Sequence, residues 1–278
     1  GNDEGARRRA LDAAGLARAA GDAARLAEAG MAYEGQLGMW AAPTDNVGAE
    51  LIREGLAGLT PDQLDVRALA QAALAHGLIL APGTAALTEA DEAIAIATEA
   101  GAEQALMQAL LVRAWAVRGV LPAPERQRAA EIALAATLEA GDRYRELATR
   151  YHLANARLTQ GDFDRAAAEF RVTSEYRGAL EGWAIADFDA TLALARGEFD
   201  TADALADAAH ALGTSLGDTN DAVRAGQHWL SARGRGDLDA AREWNEQALR
   251  TAIGSAVPTT AATLIAAGDL AAARTEFH

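Results

Sequence analysis

The stretch Gly161-Asp162-Phe163-Asp164-Arg165-Ala166 decides the fold, because it recurs. The same phrase returns as Gly197-Glu198-Phe199-Asp200-Thr201-Ala202, as Gly236-Asp237-Leu238-Asp239-Ala240-Ala241 and as Gly268-Asp269-Leu270-Ala271-Ala272-Ala273. The steps run roughly 32 to 39 residues, the spacing of helical-hairpin repeats. Glycine after a helix takes the left-handed C′ conformation at little cost. The acid beside it caps the next helix by accepting its free N–H groups. The apolar residue at Phe163, Phe199, Leu238 or Leu270 packs into the hairpin, and the alanine that follows lets two helices cross closely.

A second set of breaks lies between these: Gly21-Asp22, Gly101-Ala102-Glu103, Gly141-Asp142 and Gly217-Asp218, with Thr60-Pro61-Asp62-Gln63 filling the place near residue 60 as N-cap and N1 proline. Two breaks per repeat mean two helices. The pattern predicts a leading helix over 5–20. First helices of hairpins follow near 22–37, 62–79, 102–119, 142–160, 179–196, 218–234 and 257–267. Second helices follow near 47–58, 87–100, 124–140, 162–176, 200–216, 237–252 and 269–278. Leu106, Ala109, Leu110, Arg113, Ala114 and Val117 keep the i, i+3, i+4, i+7 spacing of a helix. No segment alternates as a strand does. The expected architecture is all-α, a right-handed α-solenoid of about seven hairpins, one domain over 1–278. The first helix has no hairpin partner before it, and the last stops soon after its Gly-Asp-Leu start, so the chain reads as a portion of a longer protein.

Composition narrows the function classes. Of 278 residues half are hydrophobic, and roughly a quarter are alanine, the best helix former and the smallest side chain that still packs. The net charge of −15 argues against a nucleic-acid surface, which needs net cationic groups, and against an anionic membrane surface. Absence of cysteine removes disulfides, thiolate metal sites and Cys nucleophiles. Lysine is absent too, which removes the phosphate-loop lysine and the Schiff-base lysine. No charge-free apolar run is long enough to span a bilayer, and no apolar stretch follows Gly1–Arg9 as a signal peptide would require; a cytoplasmic protein is expected. No cofactor is expected.

The 161–170 hairpin, taken with 150–160, resembles the tetratricopeptide repeat. Leu153 and Ala154 fall at its Leu-small pair, and Phe163, Ala166 and Phe170 at its second-helix aromatic, Ala and Phe positions. Arg150 replaces the usual Trp and Arg157 the first-helix Tyr. Over nearly its whole length the chain is also similar to the helical C-terminal region of large bacterial regulators carrying a signal-transduction ATPase. These include the large ATP-binding LuxR-type transcriptional regulators and related nucleotide-cyclase fusions. The residues that carry this likeness run from Leu26 into Met39-Trp40-Ala41-Ala42-Pro43-Thr44-Asp45, then Gln108 to Trp115, then Gly161-Asp162-Phe163. The resemblance implies ligand sensing or partner docking upstream of a DNA-binding or cyclase output.

In the tetratricopeptide register, Tyr151 and Asn155 face the concave groove. Arg113 takes the place of Asn155 one repeat earlier, Asp187 that of Tyr151 one repeat later, and Gln71 extends the line. An amide, a guanidinium and a phenol suit a peptide or a polar small molecule; the same residues also fit ordinary solvated groove positions. In protein-binding members of the family an Asn at this place binds ligand backbone, but the companion Lys is absent here.

Five tryptophans, Trp40, Trp115, Trp183, Trp229 and Trp244, read as packing between hairpins, with Trp40 and Trp183 placed to line a pocket. Asp200, Asp203 and Asp207 share a helix face near Asp187 and Asp189, without the loop of a calcium site. The histidines show no metal spacing, and no serine sits in a nucleophile elbow.

The expected function is therefore a non-catalytic sensor or interaction module. It would bind a protein, a peptide or a small effector, or pack on the ATPase domain of its own polypeptide, with an exposed solenoid end able to pair two copies. A free-standing scaffold is the second reading. An acid–base enzyme using a pair such as Asp187 and Asp189 is the third.

Overall fold

The computed structural model describes residues 3–35, 45–79, 83–117, 120–172, 178–214 and 218–251. The hairpin expected over 257–278, Trp40, and the 39–44 part of the regulator-like stretch lie outside them. All thirteen elements among the described residues are α-helices: α1 (Asp3–Ala20), α2 (Ala23–Glu34), α3 (Val47–Gly58), α4 (Leu64–Gly77), α5 (Ala85–Ala100), α6 (Glu103–Ala116), α7 (Ala123–Glu139), α8 (Arg143–Leu158), α9 (Phe163–Arg171), α10 (Ala179–Arg196), α11 (Phe199–Leu212), α12 (Asp218–Arg235) and α13 (Leu238–Leu249).

The breaks work as their chemistry requires. Gly101 and Gly197 hold left-handed conformations at φ 65° and 76°, where an L side chain is strained. Asp22, Asp142, Asp162 and Asp237 each accept a hydrogen bond from the backbone N–H three residues on, at 3.0, 2.9, 3.3 and 3.0 Å. Three breaks differ from that pattern: Glu198 and Ala102 stand at N-caps without a side-chain cap bond, and the third is at Thr60. Thr60 is not an N-cap: its N–H and hydroxyl both donate to Gln63 Oε1, closing a turn, and α4 begins at Leu64 with Gln63 as N-cap.

Two compact units follow one another, 1–160 and 161–278. In the first, α2–α3, α4–α5 and α6–α7 pair as hairpins, and the first helices also touch one another, α2 on α4, α4 on α6 and α6 on α8. They therefore form a continuous layer. Its core is built of alanine: Ala68, Ala97 and Ala105 make one cluster, Ala72, Ala93 and Ala109 the next, and Ala114, Ala130, Ala133 and Leu153 a third. Each side chain buries little area, so the helices must lie close for the layer to cohere. The extreme case is α2 on α3, where a Cβ on Gly55 would stand 2.6 Å from the Ala27 nitrogen.

The second unit pairs α10–α11 and α12–α13 and packs α9 and α12 on α10. Its core carries larger groups. Phe170 stacks on Phe188 with ring centroids 4.3 Å apart, and Trp229 joins Ala232, Ala241 and Trp244.

Candidate functional site

The layer of first helices in unit 1 holds a cavity of about 490 Å³. Met31 and Gly35 from the end of α2, Leu69 and Ala73 from α4, and Gln104 and Gln108 from α6 line it. Asp142, Tyr144 and Arg145 from the start of α8 complete the lining. Position along each helix explains the selection. Leu69 and Gln108 stand six residues beyond their N-caps, Gln63 and Ala102, while Gln104 and Tyr144 stand two beyond theirs, Ala102 and Asp142. Helix geometry puts positions two, six, nine or ten, and thirteen on one face.

The thirteenth position continues that face. It is His76 on α4, Trp115 on α6 and Asn155 on α8. The rings form a row across the three helices: Trp115 lies 5.6 Å from His76 and 5.8 Å from His152, and His152 lies 6.0 Å from Tyr151, centroid to centroid. His76 and His152 are buried, and Trp115 is partly so.

Polar groups at the opposite end differ in how they are occupied. Arg145 pairs with Asp142. Burial alone would raise the Asp142 carboxyl, but hydrogen bonds from the Arg145 backbone and guanidinium outweigh it and hold the group below its ordinary value. Gln108 has no such partner. The residue is only 7 % exposed, it lines the cavity, and no hydrogen bond ties its side chain to another described residue. Its amide atoms are not among the buried atoms that lack a partner, so they open onto the cavity with their donors and acceptor free. Gln108 therefore offers an unspent donor–acceptor pair to whatever fills the cavity.

The residues expected in the groove divide. Tyr151 and Asn155 lie one turn apart on α8, outside the cavity lining, and the Asn155 amide donates to the Tyr151 carbonyl at 2.9 Å. Gln71 and Arg113 turn to the second helices. Gln71 is buried and donates to Glu89 and Glu92 on α5. The Arg113 Nε donates to Asp91 on α5 at 2.6 Å, beside a separate cavity of about 360 Å³ between α5, α6 and α7. Asp187 belongs to unit 2, where it is 1 % exposed and accepts a hydrogen bond from Gln227 at 2.7 Å. The structure thus brings Tyr151 and Asn155 together and sets the other three apart. Gln108 and Trp115 lay inside the stretch that carries the regulator likeness. The sequence does not mark Gln108 as a site residue, because its helix starts without a capping side chain to set the register: Ala102 is the N-cap of α6.

Other groups singled out in the sequence have structural work. The Trp183 indole donates to Asn220 at 2.9 Å and is buried rather than lining a pocket. Asp200 and Asp203 pair with Arg235, and Asp207 with Arg224. His228 sits between two of these carboxylates, 3.1 Å from Asp203 and 3.0 Å from Asp207, and stacks on Trp244 at 4.2 Å. No group of three metal-binding side chains exists among the described residues, and none of their helices is long and apolar enough to cross a membrane.

Comparison with solved structures decides the architecture. A Rap protein complexed with competence and sporulation factor matches with a TM-score of 0.66 over 92% of this chain and 73% of the Rap chain, at 14% sequence identity. The chain is an all-α helical repeat protein. At that identity the likeness establishes the fold and leaves the ligand open. No protein-family model matches the sequence, and no curated protein matches it.

Proposed function

We propose that unit 1 is a non-catalytic docking module that holds an extended peptide segment in the groove of its first helices. The observation that carries this reading is Gln108, a nine-tenths buried residue lining a cavity of about 490 Å³ with its amide's hydrogen-bonding capacity unspent. A primary amide matches a peptide bond group for group, one N–H to its C=O and one C=O to its N–H. The apolar wall of Met31, Leu69 and Ala73 suits a side chain, and the Trp115 row suits an aromatic or apolar neighbour further along.

Two likenesses support the reading. The Rap protein of the same fold was captured with a bound factor. The regulator-like stretch supports reading the module as a sensor within a bacterial transcriptional or signalling protein, with the ATPase domain of its own polypeptide as the proposed source of the docking segment. A small effector would use the same amide.

The titratable groups of the cavity favour binding over chemistry, since Asp142 and Arg145 are spent on each other. The test is selection of peptides from a display library on the whole chain, followed by calorimetry. Peptides that bind the parent and lose at least tenfold affinity to Gln108→Leu support the reading. Selected peptides indifferent to that change refute it.

A further inference from the structure

α2 ends on Glu34, whose carboxyl reaches under the start of α3. The Ala49 backbone N–H donates to it, while Oε1 is buried with no hydrogen-bond partner. Glycines make the room. A Cβ on Gly48 would overlap Oε1, and one on Gly77, at the end of α4, would stand 3.7 Å from it. α3 thus begins against a carboxyl from another helix, while its own N-cap residue Asn46 makes no side-chain cap bond.

The charged surroundings come from three places. α1 supplies Arg7, which lies 5.1 Å over the Tyr33 ring and 3.5 Å from Asp45. α2 supplies Tyr33, whose hydroxyl donates to Asp45 at 3.0 Å. The segment before α3 supplies Asp45, which also accepts from the Val47 N–H at 3.0 Å. α3 presents the Gly48 and Ala49 backbone and α4 presents Gly77; His76, one residue earlier, turns to Trp115. The residue after Glu34 is Gly35, and Gly35 lines the groove.

We propose that Glu34 is a proton-operated latch on the groove wall: neutral, it stays seated between Gly48 and Gly77 and fixes the end of α2; ionised, it leaves the seat and loosens that wall. Its regulatory consequence rests on the docking reading, whereas the latch itself belongs to α2 and α3 and needs no ligand to be seen.

Burial is the main cause of the proton dependence. It pushes the Glu34 carboxyl up to about 7, with Asp45 adding to the shift and Arg7 and the Ala49 N–H opposing it. The seated carboxyl holds its proton more tightly than the free side chain, whose ordinary value is 4.5. The seat is therefore most stable below that value and is lost as pH rises through about 7.

Hydrogen–deuterium exchange on the whole chain, corrected for intrinsic rates and followed in peptides covering 26–35 and 47–52, tests this at pH 6, 7 and 8. Protection in the parent should fall about tenfold from pH 6 to pH 8, the change in neutral fraction for one group titrating near 7. Glu34→Gln should stay protected at all three values. Gly48→Ala, which fills the seat, should be loose already at pH 6 and gives an independent arm if the first variant folds poorly. Protection that is flat with pH in the parent, or that titrates alike in Glu34→Gln, overturns the latch. Since no ligand takes part, a failed peptide selection leaves this result standing, and a failed latch leaves the docking reading standing.

Discussion

Trp115 on α6 and His76 on α4 meet edge to face, with ring centroids 5.6 Å apart and an interplanar angle of 63°. Each stands thirteen residues beyond its N-cap, Ala102 and Gln63, so the contact joins equivalent positions on consecutive first helices. Around it the layer's clusters are rich in alanine, so this row adds large apolar area where neighbouring side chains add little. Trp115→Ala should therefore destabilise unit 1 by about 2–3 kcal/mol, somewhat below the cost for a fully buried Trp, read from urea unfolding followed by far-ultraviolet circular dichroism.

Gln108 separates stability from function. Its amide makes no hydrogen bond with another described residue, yet the side chain is nearly buried. Gln108→Leu keeps the shape and removes the polar cost, so the variant should match the parent or exceed it by up to about 1 kcal/mol. Thermal melts of the two proteins check this. A clear loss of stability would mean that the amide is already used within the fold.

The legible part of the chain was its punctuation. The Gly–Asp breaks gave helix boundaries that agree to within a few residues, because glycine at C′ and aspartate at the N-cap are local chemistry, and Asp22, Asp142, Asp162 and Asp237 all make the expected bonds. The angular setting of each helix was less legible. The repeat register equates Arg113 with Asn155, whereas counting from the caps makes Trp115 the equivalent of Asn155. Breaks of different length and the uncapped start at Ala102 hide a shift of this size, and it rotates the helix enough to turn Arg113 toward Asp91. Thr60 misled for a similar reason, since a turn closed by Gln63 imitates a cap in sequence. Gln108 was invisible as a site because an amide unspent by its neighbours is a property of three helices together.

The capping aspartates carry measurable stability. Asp142→Ala removes the bond to the Arg145 N–H and the ion pair with its guanidinium, and should cost about 1 kcal/mol, typical of a lost N-cap. Asp142→Asn should recover most of it, because an amide oxygen caps as well. Chemical unfolding of the three proteins at one pH makes the comparison.

Acid should act on unit 2 through Asp207. Burial alone would raise its carboxyl, but hydrogen bonds from Arg224 and His228 outweigh that and hold it below the ordinary value of 3.8. A lowered value means stability that is present above 3.8 and lost as pH falls through the folded-state value. Arg224→Gln removes one of the bonds that lower it, so the acid transition of the variant should move to higher pH. Near-ultraviolet circular dichroism reads it, since Trp244 stacks on His228 and lies under Arg224.

That the groove of first helices takes a peptide through Gln108 is tested most directly by calorimetry of library-selected peptides against the parent and Gln108→Leu, with the variant melting no lower than the parent. The account predicts binding to the parent and at least tenfold weaker binding to the variant, a difference of about 1.4 kcal/mol. Equal affinity for the two proteins would contradict it.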